Sequence, residues 1–195
     1  MRRARHIFFF IASALVVAGA TAAGNLQLPA FPLPVLVRDG GPPKEFSSNR
    51  LLRELHRGGV HNSESFEAFD NDYALLRGDS LGSLAAWLES ACQTIGFDLL
   101  RARTQSYDGA VFARLLSVAT SLAALRERGI RLAMPIGVLI CQRSRAWGDL
   151  PADGSTDAYV LFATDTGILV YDPPTRQLTG LADFPNKASI SRIRF

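Results

Sequence analysis

Histidine and cysteine are scarce in this chain of 195 residues, with three of the first and two of the second. There is no Cys-x-x-Cys pair and no Gly-rich phosphate loop, so zinc-finger and P-loop readings have nothing to rest on. A basic excess is also missing from the body of the chain. Arg2, Arg3 and Arg5 precede residue 24 with no acid among them, and the remaining 18 of the 21 basic residues balance the 18 acidic ones. A neutral body has no charge surplus with which to displace counterions, which argues against a nucleic-acid partner. No internal repeat is visible. What remains is ordinary globular material, 48% hydrophobic, 20% charged and 9% aromatic. That excludes collagen-like, low-complexity and fully disordered chains. The length suits one domain with tails.

Residues 1–23 read as a signal peptide or N-terminal anchor. The three arginines form a basic start, Ile7 to Val17 is almost wholly apolar, and Ala20-Thr21-Ala22 is a small-x-small cleavage site. The alternative is an uncleaved anchor facing the periplasm, since residues 7–23 lie at the short limit for a span. The expected location is periplasmic or secreted, with membrane contact only through this segment. In an oxidising compartment, Cys92 and Cys141 become a candidate disulfide. It would close a loop of about 50 residues, worth roughly 4 kcal/mol in the chain-entropy model. The competing reading is two separately buried thiols. Residues 24–46 hold Pro29, Pro32, Pro34, Pro42 and Pro43 with Gly40 and Gly41, so they form a linker or arm. Its apolar residues, Leu26 to Val37, suit an arm lying on the domain or a segment docking a partner.

Residues 47–195 are expected to form a single domain. Ser47 or Ser48 caps a short helix through Arg57, stopped by Gly58-Gly59. Ser80 caps an amphipathic helix with Leu81, Leu84, Ala85, Leu88, Cys92 and Ile95 on one face and Gly96 at its end. A long helix starts near Asp108, itself a good N-cap, and runs to Gly129. The period then changes. Ala133 to Gln142 is an apolar run of a buried strand, and Tyr159 to Phe162 is a second strand. Asp165-Thr166-Gly167 turns the chain, Ile168 to Tyr171 returns antiparallel, and Gln177–Leu181 and Ile190–Phe195 follow as strands. Helices followed by hairpin-linked strands give an α+β fold, with the N-terminal helices packed on one side of an antiparallel sheet.

Three strings in this order resemble the transglutaminase-like branch of the papain-like cysteine hydrolases. They are Tyr107-Asp108-Gly109-Ala110-Val111-Phe112-Ala113, Thr156-Asp157-Ala158-Tyr159-Val160-Leu161-Phe162 and Val170-Tyr171-Asp172-Pro173-Pro174-Thr175. The resemblance covers residues 66–195. It implies a nucleophilic cysteine at a helix start, a histidine at a strand start and an acid on the next strand. Here those positions hold Gly109, Asp157 and Asp172, so only the acid keeps its type. A thiolate needs an imidazole to lower its pKa and carry the proton, whereas a carboxylate raises a neighbouring thiol. The resemblance therefore implies a fold stripped of its catalytic machinery.

If Ala163 pairs with Ile168, Asp157 and Asp172 share a face at roughly 7–8 Å between Cα atoms. Asp108, Asp157, Tyr159, Asp172 and Trp147 are then the candidates to line a ligand groove at the start of the Asp108 helix, or the two carboxylates are a solvated pair. Arg143, Arg145 and Trp147 near Asp149 suit either stacking on a sugar or an ordinary loop tip. His56 and His61 straddle a Gly-Gly break, and Phe69 to Asp72 lack the Gly and Glu of a calcium loop, so no metal and no cofactor is expected. The expected function is an exported, non-catalytic transglutaminase-like protein that binds a peptide or cell-envelope ligand in a relic groove. The alternatives are a cysteine hydrolase or transamidase using Cys92 or Cys141 with His61, and a structural interaction module of the envelope.

Overall fold

The structure, a computed structural model, describes residues 44–61, 66–94, 108–148, 150–173 and 175–195. The expected leader and most of the proline-rich arm lie outside the described residues. The fold is α+β. Among the described residues no helix is long and apolar enough to cross a membrane.

Strand β1 (Glu45–Ser47) leads directly into helix α1 (Ser48–Arg57), so the folded unit straddles the boundary expected at residues 46 and 47. Ser47 caps α1 from an extended backbone, its hydroxyl accepting from the Arg50 amide at 3.3 Å. Gly59 at φ +93° ends it, and the Val60 amide returns to the Leu55 carbonyl at 3.0 Å. Strand β2 (Phe66–Glu67) and strand β3 (Asp72–Ala74) follow, β3 pairing antiparallel with β1. A 3-10 turn at Gly78–Ser80 feeds α2 (Leu81–Thr94), so Ser80 belongs to that turn. The long helix α3 (Asp108–Arg128) has Asp108 as its first residue. Four strands come next, β4 (Ile136–Gln142), β5 (Thr156–Thr164), β6 (Gly167–Asp172) and β7 (Gln177–Gly180), followed by 3-10 turns at Leu181–Asp183 and Lys187–Ser189 and by β8 (Ile190–Arg194).

The main sheet has the order β2-β8-β4-β5-β6-β7. Its pairings are antiparallel except for the short β2–β8 contact, which is parallel. The sheet is therefore mixed, where an antiparallel one was expected. The β5–β6 hairpin has the expected register, Ala163 opposite Ile168. Gly167 takes φ +121° at its turn, a conformation that L side chains avoid.

Both faces of the sheet are covered, which departs from the expected one-sided packing. Residues 158–164 of β5 are buried without interruption, as in a strand between two layers. One face carries Val138, Ala158, Val160, Phe162 and Tyr171 against α2 and α3, through Leu84, Leu88, Phe112, Ala113 and Leu116. The other carries Leu139, Cys141, Tyr159, Leu161, Val170 and Ile193. It is covered by Leu51 and Leu55 of α1 and by Leu181 and Phe184. Each fully buried Leu or Phe side chain contributes about 1.5–3 kcal/mol, so both layers carry a substantial share of the stability.

Candidate functional site

Alternation along β5 and β6 decides which side chains reach the start of α3. Ala110, Phe112 and Ala113 of its first turns pack in the same layer as Ala158 and Tyr171. The Phe112 and Tyr171 rings are 6.2 Å apart, and Tyr171 lies equally close to Phe162. Burial pushes the Tyr171 hydroxyl up to about 12, with the Glu89 charge adding to the shift. Glu89 of α2 is itself paired with Arg176, Oε2 to Nη2 at 2.6 Å. The residues gathered here are thus Ala110, Ala158, Tyr171 and the Glu89–Arg176 pair. None of them is a thiol or an imidazole.

Asp157 and Asp172 stand one position out of phase with that group. Asp157 alternates with Ala158 and shares its parity with Tyr159, and Asp172 shares its parity with Val170. Tyr159 and Val170 belong to the layer on the far side of the sheet from α3. The expectation that the two carboxylates face the start of α3 together with Asp108 and Gly109 is therefore corrected. Gly109 does lie in the first turn of α3, but the carboxylates look the other way. Side-chain positions at Asp108 and Gly109 fall outside the described residues.

On that far face the two carboxylates have separate partners. Asp157 Oδ2 meets Arg143 Nη1 at 2.9 Å and accepts from the Tyr159 hydroxyl at 3.3 Å. Arg143 also donates to both oxygens of Asp153, from Nε at 3.2 Å and from Nη2 at 2.5 Å, and to the Ser155 hydroxyl at 3.0 Å. That fork geometry suits a guanidinium. The Arg143 hydrogen bond and those of Ser155 hold the Asp153 carboxyl well below the usual carboxylate range. The backbone closes the same loop, with the Arg143 amide on the Ser155 carbonyl and the Gly154 amide on the Arg143 carbonyl. Asp172 accepts from Thr175, from its hydroxyl at 2.5 Å and from its amide at 3.3 Å. Asp172 is buried, so the solvated-pair alternative does not describe it.

Trp147 stacks edge-on against Tyr159 and Phe184, with ring centroids 5.2 and 5.1 Å away, and those two rings meet at 5.4 Å. It is a half-buried member of a packed aromatic triangle, so its indole is no free platform at a loop tip. Burial, then the charges of Asp157, Cys141 and Asp172, push the Tyr159 hydroxyl far above its ordinary range. The candidate Cys92–Cys141 disulfide is not formed. Cys141 is a free, buried thiol in the far layer, while α2, which carries Cys92, packs by Leu84 and Leu88 against the opposite face. The sheet itself stands between them. The side chain of Cys92 falls outside the described residues. Burial, then the Asp157 charge, push the Cys141 thiol up to about 12 against the opposing charge of Arg143. Among the described residues no group of three or more His, Cys, Asp or Glu side chains is placed to hold a metal ion. The rings of His56 and His61 are 6.0 Å apart.

Sequence reasoning missed three parts of this face: Asp153, Phe184 and Asn186. The Asn186 amide accepts from the Arg145 backbone at 2.7 Å and donates to the Arg145 carbonyl at 3.0 Å. A signal for Asp153 was present, because Asp153-Gly154 and Arg143 bracket a loop closed by two strands of known order. Nothing local marked Phe184 or Asn186, whose partners are long-range.

No family model and no curated protein matches the chain. Among solved structures, one described as "PSL1a-E64 complex" superposes with a TM-score of 0.56 at 12% identity and covers 78% of this chain. The chain spans 52% of the length of that structure. At such identity the likeness is one of fold.

Proposed function

We propose that this chain is an exported, non-catalytic protein of transglutaminase-like, papain-like ancestry, which binds a peptide or cell-envelope fragment where α3 begins. The ordered strings around Gly109, Asp157 and Asp172 support the ancestry, and the α+β fold agrees with it. The leader-like residues 1–23 support export to the periplasm or beyond, with or without cleavage. One observation carries the reading. The side chains that β5 and β6 turn toward the first turns of α3 are Ala158 and Tyr171. Acyl transfer by a thiol needs a nucleophile and a proton-accepting partner within hydrogen-bond reach, and neither side chain supplies one. An enzyme built on Cys141 finds no better support, since the ionisable groups acting on that thiol are Asp157 and Arg143 and its thiol stays protonated at neutral pH.

The test combines activity and binding on the purified chain. Peptide and amide substrates are expected to show no turnover above buffer. A peptidoglycan stem peptide, titrated by calorimetry, is expected to bind, and Arg176→Glu, at the cation whose charge reaches the Tyr171 hydroxyl, to weaken it at least tenfold. Turnover abolished by Cys141→Ser in a folded protein would overturn the non-catalytic reading. Absence of stem-peptide binding would overturn the ligand assignment.

A further inference from the structure

Helix α3 is apolar on two opposite sides. Its inward face, with Ala110, Phe112, Ala113, Leu116 and Ala124, is buried in the helix-covered layer. Directly opposite, Val111, Val118, Leu122 and Leu125 lie in one narrow stripe, while Leu115 at its edge packs against the inward cluster. Val111 is 43% exposed, Leu122 57% and Leu125 47%. A helix that is apolar all round is normally covered on both sides. From Val111 to Leu125 the stripe runs roughly 21 Å at about 1.5 Å per residue.

The same chain offers a segment of matching length and chemistry. From Gly24 to Val37 there is no charged residue, and Leu26, Leu28, Phe31, Leu33, Val35, Leu36 and Val37 are all apolar. Pro29, Pro32 and Pro34 fix φ and favour an extended chain. At about 3.1 Å per residue, Leu28 to Val35 covers about 22 Å. The place where this segment joins the fold also fits. The Lys44 carbonyl accepts from the Leu75 amide at 2.7 Å, and the neighbouring Ala74 amide donates to the Ala133 carbonyl at 2.9 Å. Ala133 follows shortly after Arg128, the last residue of α3. The arm therefore meets the domain beside the C-terminal end of that helix, and residues 38–43 can bridge up to about 20 Å. A second copy of the chain is less suited to the stripe. Stable interfaces take about 20–30 residues a side, whereas this stripe is Val111, Val118, Leu122 and Leu125. A tethered segment instead acts at an effective concentration of order millimolar.

We infer that residues 26–37 lie along the outward face of α3, parallel to it, with Val35 near Leu125 and Leu28 near Val111. The full chain, purified as the exporting cell leaves it, provides the test. Chymotrypsin is expected to cut after Leu26 and Leu36, the arm's leucines not followed by proline, at least tenfold faster in Leu122→Lys/Leu125→Lys than in the wild type. Both substitutions are at exposed positions, and circular dichroism checks that the fold is kept. Leu33→Cys with Leu122→Cys is expected to oxidise to an intramolecular bond in a monomer. Equal cleavage rates in wild type and variant overturn the inference. So does a wild-type dimer that the lysine variant dissociates, which would make a second copy the occupant.

Discussion

Burial and the Asp157 charge together keep the Cys141 thiol protonated, up to about 12, and burial raises Tyr171 similarly, up to about 12. Both groups favour the protonated, folded form. Their contribution is complete below the ordinary values of 9.0 for the thiol and 10.0 for the phenol. It is lost as pH rises through the folded values. The urea midpoint is accordingly expected to fall steadily above about pH 9, with iodoacetamide labelling Cys141 only after unfolding. On the acid side Asp153, like Asp79, has a depressed carboxyl that adds stability above its ordinary value of 3.8 and loses it as pH falls below that value. In a Trp87→Phe background, Trp147 fluorescence should report the Arg143 loop loosening below about pH 4; a signal flat to pH 2 would show that Asp153 does not hold it. Asp157→Ala should cost about 1–3 kcal/mol by denaturant titration, because it leaves the buried Tyr159 hydroxyl and one Arg143 nitrogen without their partner. Asp157→Asn keeps an acceptor and should cost less.

Among the strands, β4 depends on a glycine. A Cβ at Gly137 would stand 2.5 Å from the Arg194 carbonyl and 2.9 Å from the Phe195 ring. Gly137→Ala is expected to push β8 away from β4 and to cost about 1–3 kcal/mol, as overpacking does. A thermal melt unchanged from wild type would show that the β4–β8 pair can open at no cost. At Gly148 the left-handed backbone at φ +58° adds to a clash with the Gln177 amide. How far these elements were legible follows from their length. The α1 cap at Ser47, the long α3 and the β5–β6 register were readable, since each rests on local chemistry or a repeated period. Strands β1, β2 and β3 span two or three residues, too few for alternation to register. The side of the sheet that Asp157 faces was not readable for a different reason. Alternation groups Asp157 with Tyr159, but β5 is buried on both faces, so the pattern carries no sign to say which group meets α3. The candidate site failed at that one-residue step. Trp147 was legible as an aromatic in a loop, but its partner Phe184 lies on a distant turn and leaves no local mark.

At the scale of the molecule, β8 sits between β2 and β4 although it is the last strand in sequence. Ile193 is fully buried, and Phe195 packs against Tyr73 with centroids 6.5 Å apart. The Phe195 amide donates to the Glu67 carbonyl at 2.9 Å, and the Phe69 amide to the Phe195 carbonyl at 3.2 Å. Removing residues 190–195 is therefore expected to abolish the cooperative thermal transition, since it strips hydrogen-bond partners from two strands and empties part of the far layer. A cooperative melt in that truncation would show that the remaining strands form a domain without β8.

That strand order also sets a clock. Phe66 is paired with Ile193, more than a hundred residues later, about 5–25 s of ribosomal synthesis at about 5–20 residues per second. From the completion of β4 at Gln142 until β8 is made at Ile190–Arg194, β4 has no neighbour on its β8 side, and the nascent chain cannot close its sheet however favourable its earlier pieces are.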